Sequence, residues 1–195
     1  MSMWGFKVDE VNTWAYMDNV FTPKECKKLI DIALKKPKLD GSIGGSNHTQ
    51  VVDPSIRSNK VIWLTPQDEG MVDYYRKLTD VITSLNDHFF KFDLYGFTEQ
   101  MQFTEYNEPG DKYDQHIDKM YLSLIRKLSV VVQLTDPDDY DGCDLEIYNS
   151  NKPEVMKRDQ GSVIVFPSYT LHQVTPITRG TRHSLVAWIG GPNFK

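Results

Sequence analysis

The order of patterns along this chain constrains its fold most: helical periodicity comes first, and beyond Gln100 almost only short strand-like runs remain. Those runs cover residues 100–106, 113–117, 128–134, 144–148, 162–166, 171–174 and 183–189. Turn signals part them, among them Pro109-Gly110, Asp141-Gly142, Gln160-Gly161 and Arg179-Gly180. Short strands at such spacing bury their apolar faces by closing as a sandwich or barrel.

The first half reads differently. Thr22 is a helix cap, Pro23 suits the first helical position, and Glu25 sits where a capping box needs it. That helix is expected to run to about Lys35, before Pro37. Residues 39–48 (LDGSIGGSNH) are rich in glycine and serine and predict a mobile loop. A short strand follows at 61–64. From Met71 to Phe89, the apolar residues Met71, Tyr74, Tyr75, Leu78, Val81, Ile82, Leu85 and Phe89 recur at helical spacing. The expectation is an α+β chain, two helices packed on an all-β half.

The chain has 195 residues, 39% of them hydrophobic, which suits one domain over 1–195. Its formal charge is -5 and no dense Lys/Arg run appears, so no nucleic-acid partner is expected. Cys26 and Cys143 lie far apart, which argues against a disulfide framework and a cysteine-based zinc site. Cys143 reads as a small buried residue. Met1 to Phe6 carries no basic region leading into an apolar run, and no apolar stretch is long enough for a bilayer. No membrane partner is expected, and the simplest location is cytoplasmic.

Chemistry concentrates at His116-Ile117-Asp118. In a strand, residues two apart share a face, so imidazole and carboxylate converge while Ile117 turns into the opposite layer. His172 lies near the end of a later strand. A hairpin centred on Ile177 would set Arg182 directly opposite it, with Cβ atoms about 5 Å apart. An arginine aimed into a barrel must be neutralised, and a dicarboxylate does so with a bidentate pair. Two imidazoles and one carboxylate on one face of six-coordinate iron(II) leave three positions open. The 2-oxo acid end of 2-oxoglutarate fits two of them and dioxygen the third, while Arg182 meets the far carboxylate. His48, His88 and His183 have no ligand-like neighbours in sequence, and His183 should face outward. The acidic run 136–141 reads as a solvated turn.

These residues resemble the prolyl 4-hydroxylase-like branch of the iron(II)/2-oxoglutarate oxygenases. The resemblance runs from about Trp14 to Pro192, through NVFTPKEC, IRSNKVIWL, YNEPGDKYDQHID, RKLSVVVQL, DGCDLEI, GSVIVFPS and LHQVTPITRGTRHSLVAWIGGP. It implies a double-stranded β-helix, or jelly-roll, core over about 98–192 with N-terminal flanking helices. It implies iron(II) on His116, Asp118 and His172, and 2-oxoglutarate on Arg182, Tyr106, Ser184 and Gln133. Arg57, Trp188 and Tyr113 would line the substrate cleft, and the 39–48 loop would act as a lid. Gln133 stands where some prolyl hydroxylases carry tyrosine or threonine, and Gly142-Cys143-Asp144-Leu145 replaces a double glycine common in relatives. The carboxylate of Asp118 favours hydroxylation, because halogenating relatives lack it.

The implied reaction is hydroxylation of a C–H bond with O2, releasing succinate and CO2, and ascorbate is a further cofactor the family suggests. The implied substrate is a proline-containing peptide or protein, with a free amino acid or other small molecule as the alternative. From other classes, a zinc-dependent hydrolase also suits two histidines and an aspartate but leaves Arg182 without a purpose. An inactive jelly-roll binding module is the non-enzymatic alternative, and the intact triad argues against it.

Overall fold

The structure is a computed structural model that describes residues 12–44, 49–118 and 125–193. The chain opens with β1 (Ala15–Met17), α1 (Pro23–Ala33), β2 (Leu39–Asp40), β3 (Ile43–Gly44), β4 (Gln50–Val51), β5 (Arg57–Ser58) and β6 (Lys60–Leu64). Helix α2 (Met71–Leu85) ends in a wide π turn over Asn86–Phe90. Then come β7 (Gly96–Phe97), β8 (Met101–Tyr106), β9 (Lys112–His116), β10 (Arg126–Gln133), β11 (Tyr140–Gly142) and β12 (Leu145–Tyr148). The last strands are β13 (Pro153–Val155), β14 (Val163–Pro167), β15 (Leu171–Val174), β16 (Ile177–Gly180) and β17 (Arg182–Gly190).

A larger sheet runs β1-β14-β10-β17-β8-β6-β2, with β7 added beside β17, and a smaller one runs β13-β12-β15-β9-β5. Every pairing within them is antiparallel. The two sheets form a jelly roll, the double-stranded β-helix expected from the resemblance, with both helices packed on the outer face of the larger sheet.

Strand period two sorts the residues of the larger sheet between two environments. One face carries Met101 and Phe103, Leu128, Val130 and Val132, Val163 and Val165, and Leu185, Ala187 and Ile189. These meet Cys26, Leu29 and Ala33 of α1 and Met71, Tyr74, Leu78, Val81, Ile82 and Leu85 of α2 in one apolar core. The opposite face looks between the sheets, where Tyr106, Val131, Ile164 and Phe166 pack with Leu145, Ile147 and Val174. Both faces of β10 are therefore covered, and residues 127–133 are all buried. Polar residues on the inward face have no water of their own to turn to, so they must find partners or a ligand.

The structure departs from the sequence reading in several places. Sheet structure does not wait for the helices: β1 precedes α1 and joins β14, while β2 and β6 extend the larger sheet. Within the expected 39–48 loop, residues 39–40 form β2 and 43–44 form β3, with β3 paired to β4, and residues 45–48 lie outside the described residues. Two-residue ladders leave no periodicity in sequence, which is why these strands escape a pattern search. Within the 136–141 run, Tyr140 is buried although its acidic neighbours face solvent. Ile177 is not the centre of a hairpin: it begins β16, which pairs with β11.

Helix α1 is tied to α2 by Glu25, which closes the capping box with Thr22 and reaches Lys77 at 2.9 Å. The Lys77 hydrogen bond, and after it those from Thr22, hold the Glu25 carboxyl down to about 2, from an ordinary 4.5. A pKa depressed in the folded state contributes stability above the unfolded value and loses it as pH falls through the folded one. Glu25→Gln is expected to cost roughly 0.5–1 kcal/mol at neutral pH. The gap to wild type should close as pH falls from 4.5 toward 2. Urea unfolding at neutral pH and at low pH checks this, and an equal gap at both would leave only helix propensity as the cause.

Candidate active site

The inward faces of the two sheets enclose a cavity of about 670 Å³. His116, Asp118 and His172 meet on its wall, with one ligating atom from each lying within 4.8 Å of the others. His172 on β15 pairs directly with His116 on β9, and the two rings stand 4.1 Å apart between centroids. Asp118 lies two residues past the end of β9, so strand alternation does not place it. Its amide donates to Ser168 O at 2.9 Å, and Ser129 Oγ donates to its Oδ2 at 2.7 Å. Ile117 does not turn into an opposite layer but stays 40% exposed at the cavity rim.

Both imidazoles are fixed in the tautomer a metal needs. Nδ1 of His116 lies 2.7 Å from the carbonyl of Asp114, and Nδ1 of His172 lies 2.9 Å from that of Thr170. A carbonyl only accepts, so Nδ1 carries a proton, and in the neutral ring Nε2 is the atom left to ligate. Those Nε2 atoms lie 3.7 and 3.6 Å from the Asp118 oxygens. Burial, with His172 beside it, brings the His116 pKa down to about 4, which keeps the ring neutral and ligating. Burial pushes the Asp118 carboxyl up, but His172, His116, Trp188 and Ser129 outweigh it and bring it down to about 2. Two imidazoles and one carboxylate are a donor set that suits a divalent transition metal with open positions left over.

Arg182 closes the other end. It is 2% exposed and extends from β17 into the cavity. Nη2 donates to Gln133 Oε1 at 2.8 Å, and Nε has no partner among the described residues. No carboxylate among the described residues pairs with it. A buried guanidinium left unneutralised costs several kcal/mol, which a dicarboxylate reaching into the cavity would offset. Tyr106 pairs with Arg182 across the β8–β17 ladder, its ring 5.8 Å from the guanidinium carbon. Burial pushes its phenol up to about 12, so the hydroxyl keeps its proton and can donate to an anion. Ser184 and Thr104 line the same wall. The donor set and the orphaned cation together fit a metal plus a 2-oxo dicarboxylate.

The route by which these groups meet differs from the hairpin expected between His172 and Arg182. His172 belongs to the smaller sheet and pairs with His116 and Ile147, whereas Arg182 belongs to the larger sheet and pairs with Tyr106. They share a cavity because two sheets face each other. Gln133 is a second correction. Its Oε1 accepts from Arg182 and its Nε2 donates to Lys157 O at 3.0 Å, so both ends are committed behind the guanidinium. It holds the Arg182 guanidinium and does not itself line the cavity. His183 points away from Arg182 as expected, yet it is not solvated. It hydrogen-bonds Glu105 at 3.1 Å and stacks on Phe103.

Of the residues expected in a substrate cleft, Arg57, Tyr113 and Trp188 all line the cavity. Arg57 is buried: Nε donates to Asn59 Oδ1 at 3.1 Å and Nη1 to Ser42 O at 2.8 Å. Its guanidinium covers the Tyr113 ring at 4.5 Å, and that ring stacks on His116 at 3.5 Å. Arg57 thus anchors the Gly41–Ser42 chain over the cavity, where a Cβ added at Gly41 would collide with the Asn59 side chain. Ser42, Ile43, Gly44, Thr49 and Gln50 overhang the same opening. Sequence reading missed Ser129 and Arg126, although a lone serine inside the apolar run LSVVV is itself a signal of an inward polar task.

Residues 101–190 match the family model described as the 2OG-Fe(II) oxygenase superfamily. A PKHD-type hydroxylase of Prochlorococcus marinus is 41% identical over 81 residues, which is 41% of this chain and 37% of that protein. The chain thus spans less than two fifths of the length of that relative. A PKHD-type hydroxylase of Gloeothece citriformis is 29% identical over 179 residues, covering 87% of this chain and 74% of the relative. Among solved structures, a Pseudomonas putida prolyl-4-hydroxylase superposes with a TM-score of 0.74 at 20% identity, covering 93% of this chain and 94% of that one. A Trichoplax adhaerens prolyl hydroxylase, solved with a peptide fragment of the hypoxia inducible factor oxygen degradation domain, superposes with a TM-score of 0.76 at 19% identity, covering 92% and 84%. Over residues 101–190 the chain is similar to the 2OG-Fe(II) oxygenase superfamily, and as a whole it has the fold of solved prolyl 4-hydroxylases.

Proposed function

We propose that this protein is an iron(II)- and 2-oxoglutarate-dependent dioxygenase that hydroxylates a C–H bond, the substrate being a prolyl residue in a peptide or protein. The observation that carries this reading is the pairing, in one cavity, of the His116–Asp118–His172 cluster with a buried arginine that no described carboxylate neutralises. A zinc hydrolase would use the cluster but not the arginine. When bound, iron(II) together with O2 and 2-oxoglutarate supplies the oxidising power, converting the co-substrate to succinate and CO2 as one oxygen atom enters the substrate.

The chain's own residues hold and shield the reactants. His116, Asp118 and His172 hold the metal on one face, and the backbone carbonyls of Asp114 and Thr170 keep both imidazoles from turning. Arg182 grips the far carboxylate of the co-substrate and Gln133 keeps its fork aimed. Tyr106 donates its hydroxyl to the same anion, and Ser184 offers another donor. Tyr113, Trp188 and Phe166 exclude water from the reacting centre. The open side, under Ser42, Ile43 and Gln50, admits the substrate, and the Trichoplax adhaerens prolyl hydroxylase solved with a peptide fragment supports a peptide there.

Anaerobic titration of the metal-free protein with iron(II) and then 2-oxoglutarate should give the weak visible charge-transfer band of the chelate, and His172→Ala should abolish it. Iron binding with no band would remove the oxygenase reading. Arg182→Gln is expected to raise KM for 2-oxoglutarate by roughly 30-fold or more, about 2 kcal/mol, with metal affinity little changed. Unaltered KM would place the far carboxylate elsewhere. For the substrate, a panel of proline-containing peptides assayed by a mass gain of one oxygen decides. Turnover only of free amino acids would sink the peptide assignment.

A further inference from the structure

Asp118 is the one member of the triad that no strand holds. His116 and His172 sit in ladder register on β9 and β15, while Asp118 follows the end of β9. Its placement must come from outside its own segment. One support is Ser168, which accepts the Asp118 amide. Arg126 supplies another, its Nη1 donating to the Asp118 carbonyl at 3.2 Å.

Arg126 is itself unusually well fixed. Nε and Nη2 form a two-pronged pair with the Glu99 carboxylate at 2.6 and 2.5 Å, and both side chains are largely buried. Its guanidinium carbon lies 3.9 Å over the Trp188 ring. A planar fork that is stacked on one side and paired at one edge has little rotamer freedom left. The Trp188 Nε1 is itself buried and meets full hydrogen-bond geometry with no described group. Arg126, Trp188 and Glu99 come from β10, β17 and the turn before β8, so the brace forms only when those elements are docked.

We propose that Glu99 and Arg126, stacked on Trp188, are positioning residues that hold Asp118 in ligating geometry and so set how tightly the site retains its metal. This rests on the assignment of Asp118 as a metal ligand. Two roles for Arg126 predict opposite results. If it were only a nearby positive charge, removing it would tighten the binding of a dication. If it positions the ligand, removing it weakens binding.

Manganese(II), which is redox-stable, is the probe, with free ion followed by electron paramagnetic resonance on the metal-free whole chain. Arg126→Gln and Arg126→Lys are both expected to weaken manganese(II) binding about 10-fold, because lysine keeps the charge but not the fork. Glu99→Gln should weaken it as well, by a smaller factor. Melting temperature of the metal-free variants separates ligand placement from general loss of fold. If Arg126→Gln is too unstable to titrate, Arg126→Lys decides, since it keeps the charge and removes only the fork. Unchanged or tighter binding in the variants overturns the proposal. Wild type that binds no manganese(II) or iron(II) overturns the metal-site reading itself, a separate outcome.

Discussion

The antiparallel ladder between β10 and β17 fixes which side chains can meet in the cavity. Its register sets Ser129 against Trp188, Val131 against Val186 and Gln133 against Ser184, all on the inward face. Leu128, Val130 and Val132 then fall on the helix side, against Ile189, Ala187 and Leu185. Because the side-chain period is two, a slip of one residue would exchange the polar row for the apolar row. Serine, glutamine and tryptophan would enter the helix core, and leucines would fill the cavity. The helices enforce the register: α1 and α2 offer only apolar partners, so only one alignment buries every leucine without stranding Ser129 or Gln133.

From that register follows a graded polarity along the cavity. At one end, Arg182 brings a permanent positive charge into a cavity that Val131, Leu145 and Phe166 help to line. At the other, a carboxylate and two imidazoles gather electron-pair donors around a point. Low-dielectric walls between the two ends strengthen both fields. A molecule with a chelating 2-oxo acid at one end and a carboxylate at the other matches both at once, whereas a monocarboxylate leaves one end unanswered.

Much of this was legible in the sequence. His116 and Asp118 stood out by their two-residue spacing and His172 and Arg182 by their spacing around a strand end, a set the family resemblance reinforced, and the capping box at Thr22 and Glu25 named the start of α1 directly. What sequence did not carry was how the runs pair. His172 and Arg182 are near in sequence, and a local hairpin was the simplest way to bring them together. The chain instead sends them to different sheets, with β16 peeling off to join β11 between them. Pairing partners are set by long-range burial, which no local pattern encodes. The same gap hid Gln133 and Arg126, whose roles are defined by a neighbour's side chain rather than by their own surroundings in sequence. The two-residue strands β2 to β5 left no signal because two residues are too few to show an alternation.

The carbonyl bonds that lock His116 and His172 have a bearing on metal choice. Ligands held this firmly do not adjust to the ion they receive, and nitrogen and oxygen donors rank first-row dications in a fixed order in which iron(II) stands below cobalt, nickel, copper and zinc. The triad therefore carries no preference for iron. Which ion occupies it inside a cell is decided by supply, and zinc or cobalt in excess would make a tightly bound, redox-silent form. The proposed iron-dependent activity would, in that sense, depend on the cell's metal traffic as much as on the fold.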